Sequence, residues 1–185
     1  MKKASDRILK RSVLSVLVAA TLHIPQTMAE FTEIVTAGSI VTDETVENGT
    51  QTVQNGGKTE NSTVNNGGEQ YVAGTAKDTP INDRGKQYVY SGGSATGTTI
   101  YQGGVQHVYS GGSATGTTIN NGGEQDVSGT AKDTTIYQGG LQYVRDGGSA
   151  TGTTINDGGK QTVYSGGSAT NTTIYQGGLQ YVYSG

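Results

Sequence analysis

Cysteine is absent from the 185-residue chain, which excludes a disulfide framework, a thiolate metal site and a thiol nucleophile. Tryptophan is absent too; phenylalanine occurs once, histidine twice and proline twice. One of the two histidines, His23, lies in a segment argued below to be removed. A Ser-His-Asp triad or a His-rich metal cluster therefore has almost nothing to work with. Apolar residues reach only 31%, against roughly 45–50% in a compact globular domain, so one thick core is excluded. The main apolar run, Val13 to Leu22, is shorter than the roughly 20 residues that span a bilayer. Glycine is plentiful, with 31 residues, yet no Gly-x-y triplet runs through the chain, and this excludes collagen. The accompanying Thr, Tyr, Val and Ile are the wrong residues for a disordered linker.

Targeting changes the charge arithmetic. Lys2, Lys3, Arg7, Lys10 and Arg11 form a positive stretch ahead of the apolar run, and Thr27-Met28-Ala29 ends in small residues suited to a signal peptidase. The segment 1–29 reads as a signal peptide cleaved after Ala29. The full chain has 12 basic and 15 acidic residues. Removing five basic residues and Asp6 leaves 7 and 14, a net charge of −7. That sign speaks against nucleic acid or an anionic membrane surface as partner. An exported chain without cysteine also suits a bacterial outer surface.

The remainder is a repeat array. Gln followed two places later by Val recurs at Gln51, Gln70, Gln87, Gln106, Gln125, Gln142, Gln161 and Gln180, at spacings of 19 or 17 residues. A second element, Ser94-Ala95-Thr96-Gly97-Thr98-Thr99-Ile100, returns at 113–119 and 149–155, and at 168–174 with Asn171 for Gly. Self-similarity at this period means a solenoid. Short Val, Thr, Ile and Tyr runs between Gly pairs read as strands, so each unit is expected to be one coil of an all-β parallel β-helix, with two strands and Gly-rich corners. About eight coils over residues 48–185 would make a rod on the order of 40 Å long. Residues 30–47 fit the repeat poorly and are expected to be an N-terminal cap or irregular coil. Tyr183-Ser184-Gly185 ends without a cap, so the chain reads as a fragment.

Parity assigns the faces. Residues two apart share a face of a strand, and the neighbours of the constant Gln change freely between charged and aromatic. Val and Gln are therefore expected to stack inward, Gln on Gln as an amide ladder; a ligand-binding role for the glutamines is the rival. Ile100, Ile119, Ile136, Ile155 and Ile174 should form a second apolar column. Outward tyrosines, Tyr90, Tyr109, Tyr143, Tyr164 and Tyr183, are candidates for a contact surface, or equally for cross-strand neighbours that shield the backbone. Calcium is disfavoured because Thr96, Thr115, Thr151 and Thr170 stand where a calcium-binding coil needs Asp. A Thr-x-Thr array facing ice is broken by Lys77 and Lys132. No cofactor is expected. The sequons at Asn48, Asn61 and Asn171 are of the kind that chance supplies in an Asn/Thr-rich chain.

The whole unit Gly-Gly-x-Gln-x-Val-x-x-Gly-Gly-Ser-Ala-Thr-x-Thr-Thr-Ile, as at Gly103 to Ile119, resembles the repeats of the self-associating autotransporter adhesins, the family of the diffuse-adherence adhesin. The resemblance covers about residues 48–185. It implies a surface passenger domain that aggregates cells, builds biofilm and attaches to host cells through rod-to-rod self-association. It also implies sugar added by a dedicated glycosyltransferase to Ser94, Thr96, Ser113, Thr115, Ser149, Thr151, Ser168 and Thr170. The family ends in an outer-membrane barrel of alternating ten-residue strands, and nothing in this sequence resembles one. The expected location is the cell surface, outer membrane or medium, or the periplasm if no barrel follows. The competing classes are a β-helix enzyme acting on polysaccharide and a truncated remnant. Such an enzyme needs clustered acids or bases, whereas Asp126, Asp133, Asp146 and Asp157 sit at different phases of the repeat.

Overall fold

The computed structural model describes residues 31–184. The proposed signal peptide, 1–29, lies outside these residues. The described chain winds into a parallel β-solenoid of three sheets with no helix among the described residues. We call them A, B and C in the order a coil visits them. Sheet A has nine strands, from Thr32–Val35 to Leu179–Val182; sheet B has eight, from Ile40–Thr42 to Ser168–Thr170; sheet C has eight, from Thr45–Glu47 to Thr173–Ile174. Eight complete coils and one further sheet A strand result, matching the expected coil number.

Two expectations need correction. Each coil has three strands, not two, because Ser-Ala-Thr-Gly-Thr-Thr-Ile is broken at its fourth residue. Ser94–Thr96 belongs to sheet B and Thr99–Ile100 to sheet C, with Gly97 at φ 70° between them. The same corner is held by Asp43, Asn61, Asp78, Gly116, Asp133, Gly152 and Asn171, all at positive φ. Gly accepts that conformation freely, and Asn and Asp are the side chains that tolerate it best. The exchange of Gly97 for Asn171 thus preserves one corner. Secondly, residues 32–47, expected to be a cap or irregular coil, form a coil of the common plan. Thr32–Val35 pairs in register with Thr50–Val53, and Glu33 stands in the glutamine column.

The 17- and 19-residue units share the same strands. Val89 and Ser94 are joined by four residues at the A–B corner, Val72 and Thr75 by two. Ala73 and Gly74 both donate to the Val53 carbonyl in the short form, and Ala76 still pairs with Ala95. In the long form the two glycines serve different ends. Gly92 turns the chain at φ 80°, whereas a Cβ on Gly93 would stand 2.2 Å from the Val72 carbonyl oxygen of the preceding coil.

The core is thin and columnar. Val53, Val72, Val89, Val108, Val127, Val144 and Val163 are buried beneath sheet A, and Ile81, Ile100, Ile119, Ile136 and Ile155 beneath sheet C. Ile174, in the edge strand of sheet C, is 46% exposed. Sheet B contributes a third column that the sequence reading did not pick out: Ala76, Ala95, Ala114, Ala131 and Ala150. Alanine fits there because the Val column approaches it closely; Val89, Ala95, Val108 and Ala114 make one cluster.

Gln51 to Gln161 are fully buried, as parity requires. Each Nε2 donates to the Oε1 one coil back, at 2.6–2.7 Å from Gln70–Gln51 through Gln180–Gln161. Corner threonines complete the network: Thr98, Thr117 and Thr153 donate to the oxygens of Gln87, Gln106 and Gln142. A buried amide is tolerated only when so satisfied. All the amides point the same way, so their dipoles add along the rod. The first, Gln51, donates at 2.7 Å to the Glu33 carboxylate, a negative group at the positive end of the row.

Candidate functional site

The buried ladder removes the glutamines and one threonine of each Thr-x-Thr pair from any surface role. Thr98, Thr117 and Thr153 face the interior, whereas Thr96, Thr115 and Thr151 face out from sheet B. What remains for recognition is the set of outward columns on three faces and three corners.

Sheet A carries the aromatic columns. Successive coils place Tyr71, Tyr88 and His107 side by side in register, with ring centroids 5.1 and 5.3 Å apart and planes nearly parallel. The next outward column stacks Tyr90 on Tyr109 at 5.1 Å. Rings one coil apart fall at the offset-stacking distance, so these side chains use each other's faces. Glu69 accepts hydrogen bonds from the hydroxyls of both Tyr71 and Tyr88. Tyr71 is pushed up to about 12, first by that bond, and Tyr88 to about 12, first by burial and then by the Glu69 charge. Both stay neutral in any physiological medium. Burial within the stack lowers the His107 pKa, although Asp126 and Glu124 pull the other way.

Asp126 interrupts the stack and starts a second patch. Its carboxylate accepts from Arg145 Nε at 2.6 Å and from Nη2 at 3.2 Å. The guanidinium lies 4.9 Å from the Tyr143 ring centre and 4.6 Å from that of Tyr164, and Tyr164 stacks on Tyr183 at 5.8 Å. A planar cation between two rings is favourable on both sides, and the carboxylate bond raises the Arg145 pKa further. The five tyrosines proposed as contacts thus fall in two groups: Tyr90 and Tyr109 in one, Tyr143, Tyr164 and Tyr183 in the other. They are cross-strand neighbours, and they also leave one edge in water, Tyr90 and Tyr109 being about two-fifths exposed.

Sheet B presents the hydroxyl columns. Ser94, Ser113, Ser149 and Ser168 occupy one outward column and Thr96, Thr115, Thr151 and Thr170 the other. None is buried. Thr130 and Lys132 interrupt them in the sixth coil.

The C–A corner holds a feature the sequence reading passed over. The residue after each sheet C isoleucine alternates: Asn82, Tyr101, Asn120, Tyr137, Asn156, Tyr175. A shallow, open depression runs along this corner, lined by Asn120, Tyr137, Gln138, Asn156, Asp157 and Tyr175 among others. Tyr101, Tyr137 and Tyr175 are 45%, 46% and 56% exposed. The signal was legible as Tyr-Gln-Gly-Gly in every second coil.

The four aspartates weighed for catalysis are scattered. Asp126 is bound to Arg145 on sheet A, Asp133 turns a B–C corner, Asp146 lies at an A–B corner, and Asp157 lines the C–A groove. Among the described residues no group of three or more His, Asp or Glu converges as a metal ion would need.

This geometry can be set beside known proteins. Residues 72–123 match the family model described as adhesin of bacterial autotransporter system, probable stalk. Over 85 residues, 46% of the chain, the sequence is 41% identical to the probable autotransporter YpjA of Escherichia coli strain K12. The match spans only 5% of that relative's length. Among solved structures, the chain is similar to a TibA fragment hyper-glycosylated by TibC catalysis, at 31% identity, over 83% of this chain and 87% of that one, with a TM-score of 0.49. The family match falls on the third to fifth coils, and the coils on either side repeat the same Gln-x-Val register. Residues 72–123 thus resemble the bacterial autotransporter adhesin stalk, and the neighbouring coils repeat their strand register.

Proposed function

We propose that the chain is a non-enzymatic passenger segment of an exported surface adhesin, whose rods pair side by side between neighbouring cells and so promote aggregation, biofilm formation and attachment to host cells. The match of residues 72–123 to an adhesin stalk carries this reading. The surface supplies a physical means. Aromatic edges and the Asp126–Arg145 pair lie in rows parallel to the rod axis, so two antiparallel or parallel rods meet along their length. Each coil adds one weak contact, and the array adds avidity. Aromatic edges and a fixed arginine are the side chains most effective at such a contact.

The outward hydroxyls of sheet B are the proposed acceptors for sugar: Ser94, Ser113, Ser149 and Ser168 in one row, Thr96, Thr115, Thr151 and Thr170 in the other. Their exposure supports access by a glycosyltransferase, and modification there would leave the sheet A face clear.

The test is display. The chain fused ahead of an outer-membrane barrel, on a non-aggregating bacterium, makes cells settle faster than the barrel alone. Changing Tyr109, Tyr143 and Tyr164 together to Glu reduces settling at equal surface abundance. A folded, abundant rod that leaves cells dispersed and non-adherent would overturn the reading.

A further inference from the structure

We propose that the C–A corner groove binds an uncharged, extended polysaccharide lying along the rod axis, with Tyr137 and Tyr175 as its stacking platforms and Tyr101 two coils before Tyr137 on the same corner. The argument begins with spacing. Tyrosines on sheet A recur in adjacent coils and stack on each other, centroid to centroid at 5.1 Å. Those at the C–A corner recur in alternate coils, hence about 9.6 Å apart, beyond the range in which rings pair. Each is 45% exposed or more. Ring surface that could have been satisfied by a neighbour in the next coil is left open in every second coil.

What fills the intervening coils is as telling. Asn120-Asn121 and Asn156-Asp157 stand between the rings, and Gln102, Gln138 and Gln176 stand beside them. Amides both donate and accept. The groove therefore offers an aromatic surface and a two-way hydrogen-bonding group in regular alternation. A pyranose ring has the complementary make-up, with an apolar C–H face and a rim of hydroxyls that donate and accept. In an extended β-1,4-linked glycan the same face returns every second ring, a repeat close to the two-coil spacing. One tyrosine per disaccharide is the match the geometry offers.

Charge selects among glycans. The groove lining includes one carboxylate, Asp157, and no Lys or Arg. Lys160, at the start of the next sheet A strand, is turned onto the Tyr181 ring, its Nζ 4.8 Å from the centre. Nothing in the lining neutralises an anionic sugar or a phosphate backbone, so a neutral chain fits.

The experiment is calorimetric titration of the purified protein with cellohexaose and chitohexaose, and with heparin as the anionic comparison. Binding of at least one neutral hexasaccharide is expected, with heparin weaker. Tyr137→Ala lowers that affinity about tenfold and Tyr175→Ala lowers it similarly, whereas Tyr137→Phe stays within about twofold. Tyr109→Ala, on sheet A, leaves it unchanged. Circular dichroism of each variant should overlay that of the parent, since these rings lie outside the core. No binding of either neutral hexasaccharide at millimolar concentration overturns the proposal, as does tighter binding of heparin, or a Tyr137→Ala variant that binds as the parent does. The outcome is separate from rod-to-rod adhesion: Tyr137→Ala should leave cell settling intact.

Discussion

A glutamine with no exposed surface is an expensive residue unless every polar atom finds a partner, and from Gln70 onward each Nε2 finds it in the glutamine one coil back. Gln125 illustrates the stake. Its Oε1 accepts from Gln142 Nε2 at 2.7 Å and its Nε2 donates to Gln106. Gln125→Leu keeps the volume but strands the Gln142 amide, so a loss of about 1–3 kcal/mol is expected in denaturant unfolding. An unchanged midpoint would show that the ladder contributes no stability. His107 offers a second residue-level test. Its folded pKa lies below the unfolded value of about 6.5, because burial disfavours the cation. Between the two values the unfolded chain binds the extra proton, so stability rises with pH there. Stability contributed by neutral His107 is complete above about pH 6.5, falls as pH drops through the window, and levels off below the folded pKa. His107→Phe should remove that part of the acid dependence of the melting temperature; a profile identical to the parent's would contradict it.

At the scale of the element, the third sheet C strand is the weak seam. Other sheet C strands send an N–H to the carbonyl one coil back, as Thr99 does to Thr79 and Thr118 to Thr98. Pro80 cannot, having no N–H. The neighbouring buried hydroxyls of Ser62 and Thr79 have no hydrogen-bond partner, and Val64–Ile81 is the single paired position between these two strands. Hydrogen exchange should therefore be faster at Ile81 than at Ile119, and Pro80→Thr should slow it. Equal protection at the two isoleucines would refute the seam. The elements also show what a sequence discloses. The Val and Gln columns were legible because four-residue strands show two inward positions and the same letters return in them; the Ile column was legible because Ile closes the short sheet C strand in successive coils. The Ala column was not, since Ser94–Thr96 turns only one side chain inward and alanine carries no strand signature. The third strand was hidden because its corner depends on positive φ, which Gly, Asp and Asn supply under different letters. The first coil was missed for a similar reason: Glu33 takes the glutamine place, and its meaning as the ladder's terminal acceptor appears only once the direction of the amides is known.

For the whole molecule, each coil touches only its neighbours, so the rod's properties are sums along one axis. That holds for the core, for the amide dipoles and for the outward columns. It is why a chain with 31% apolar residues can be ordered throughout its described length, and why its outward side chains fall in rows. The proposed contact surface was legible in part: the tyrosine positions followed from parity, but not their division into two patches by Asp126 and Arg145, which needs the register of adjacent coils. The central claim is that rods associate with rods. The direct measurement is a mixed culture of two differently labelled strains, one displaying the rod and one displaying the barrel alone. Clumps composed of rod-bearing cells, with bare cells left in suspension, are predicted. Clumps that incorporate both labels in proportion to their numbers would mean that the rod grips something every cell carries, and would contradict the account.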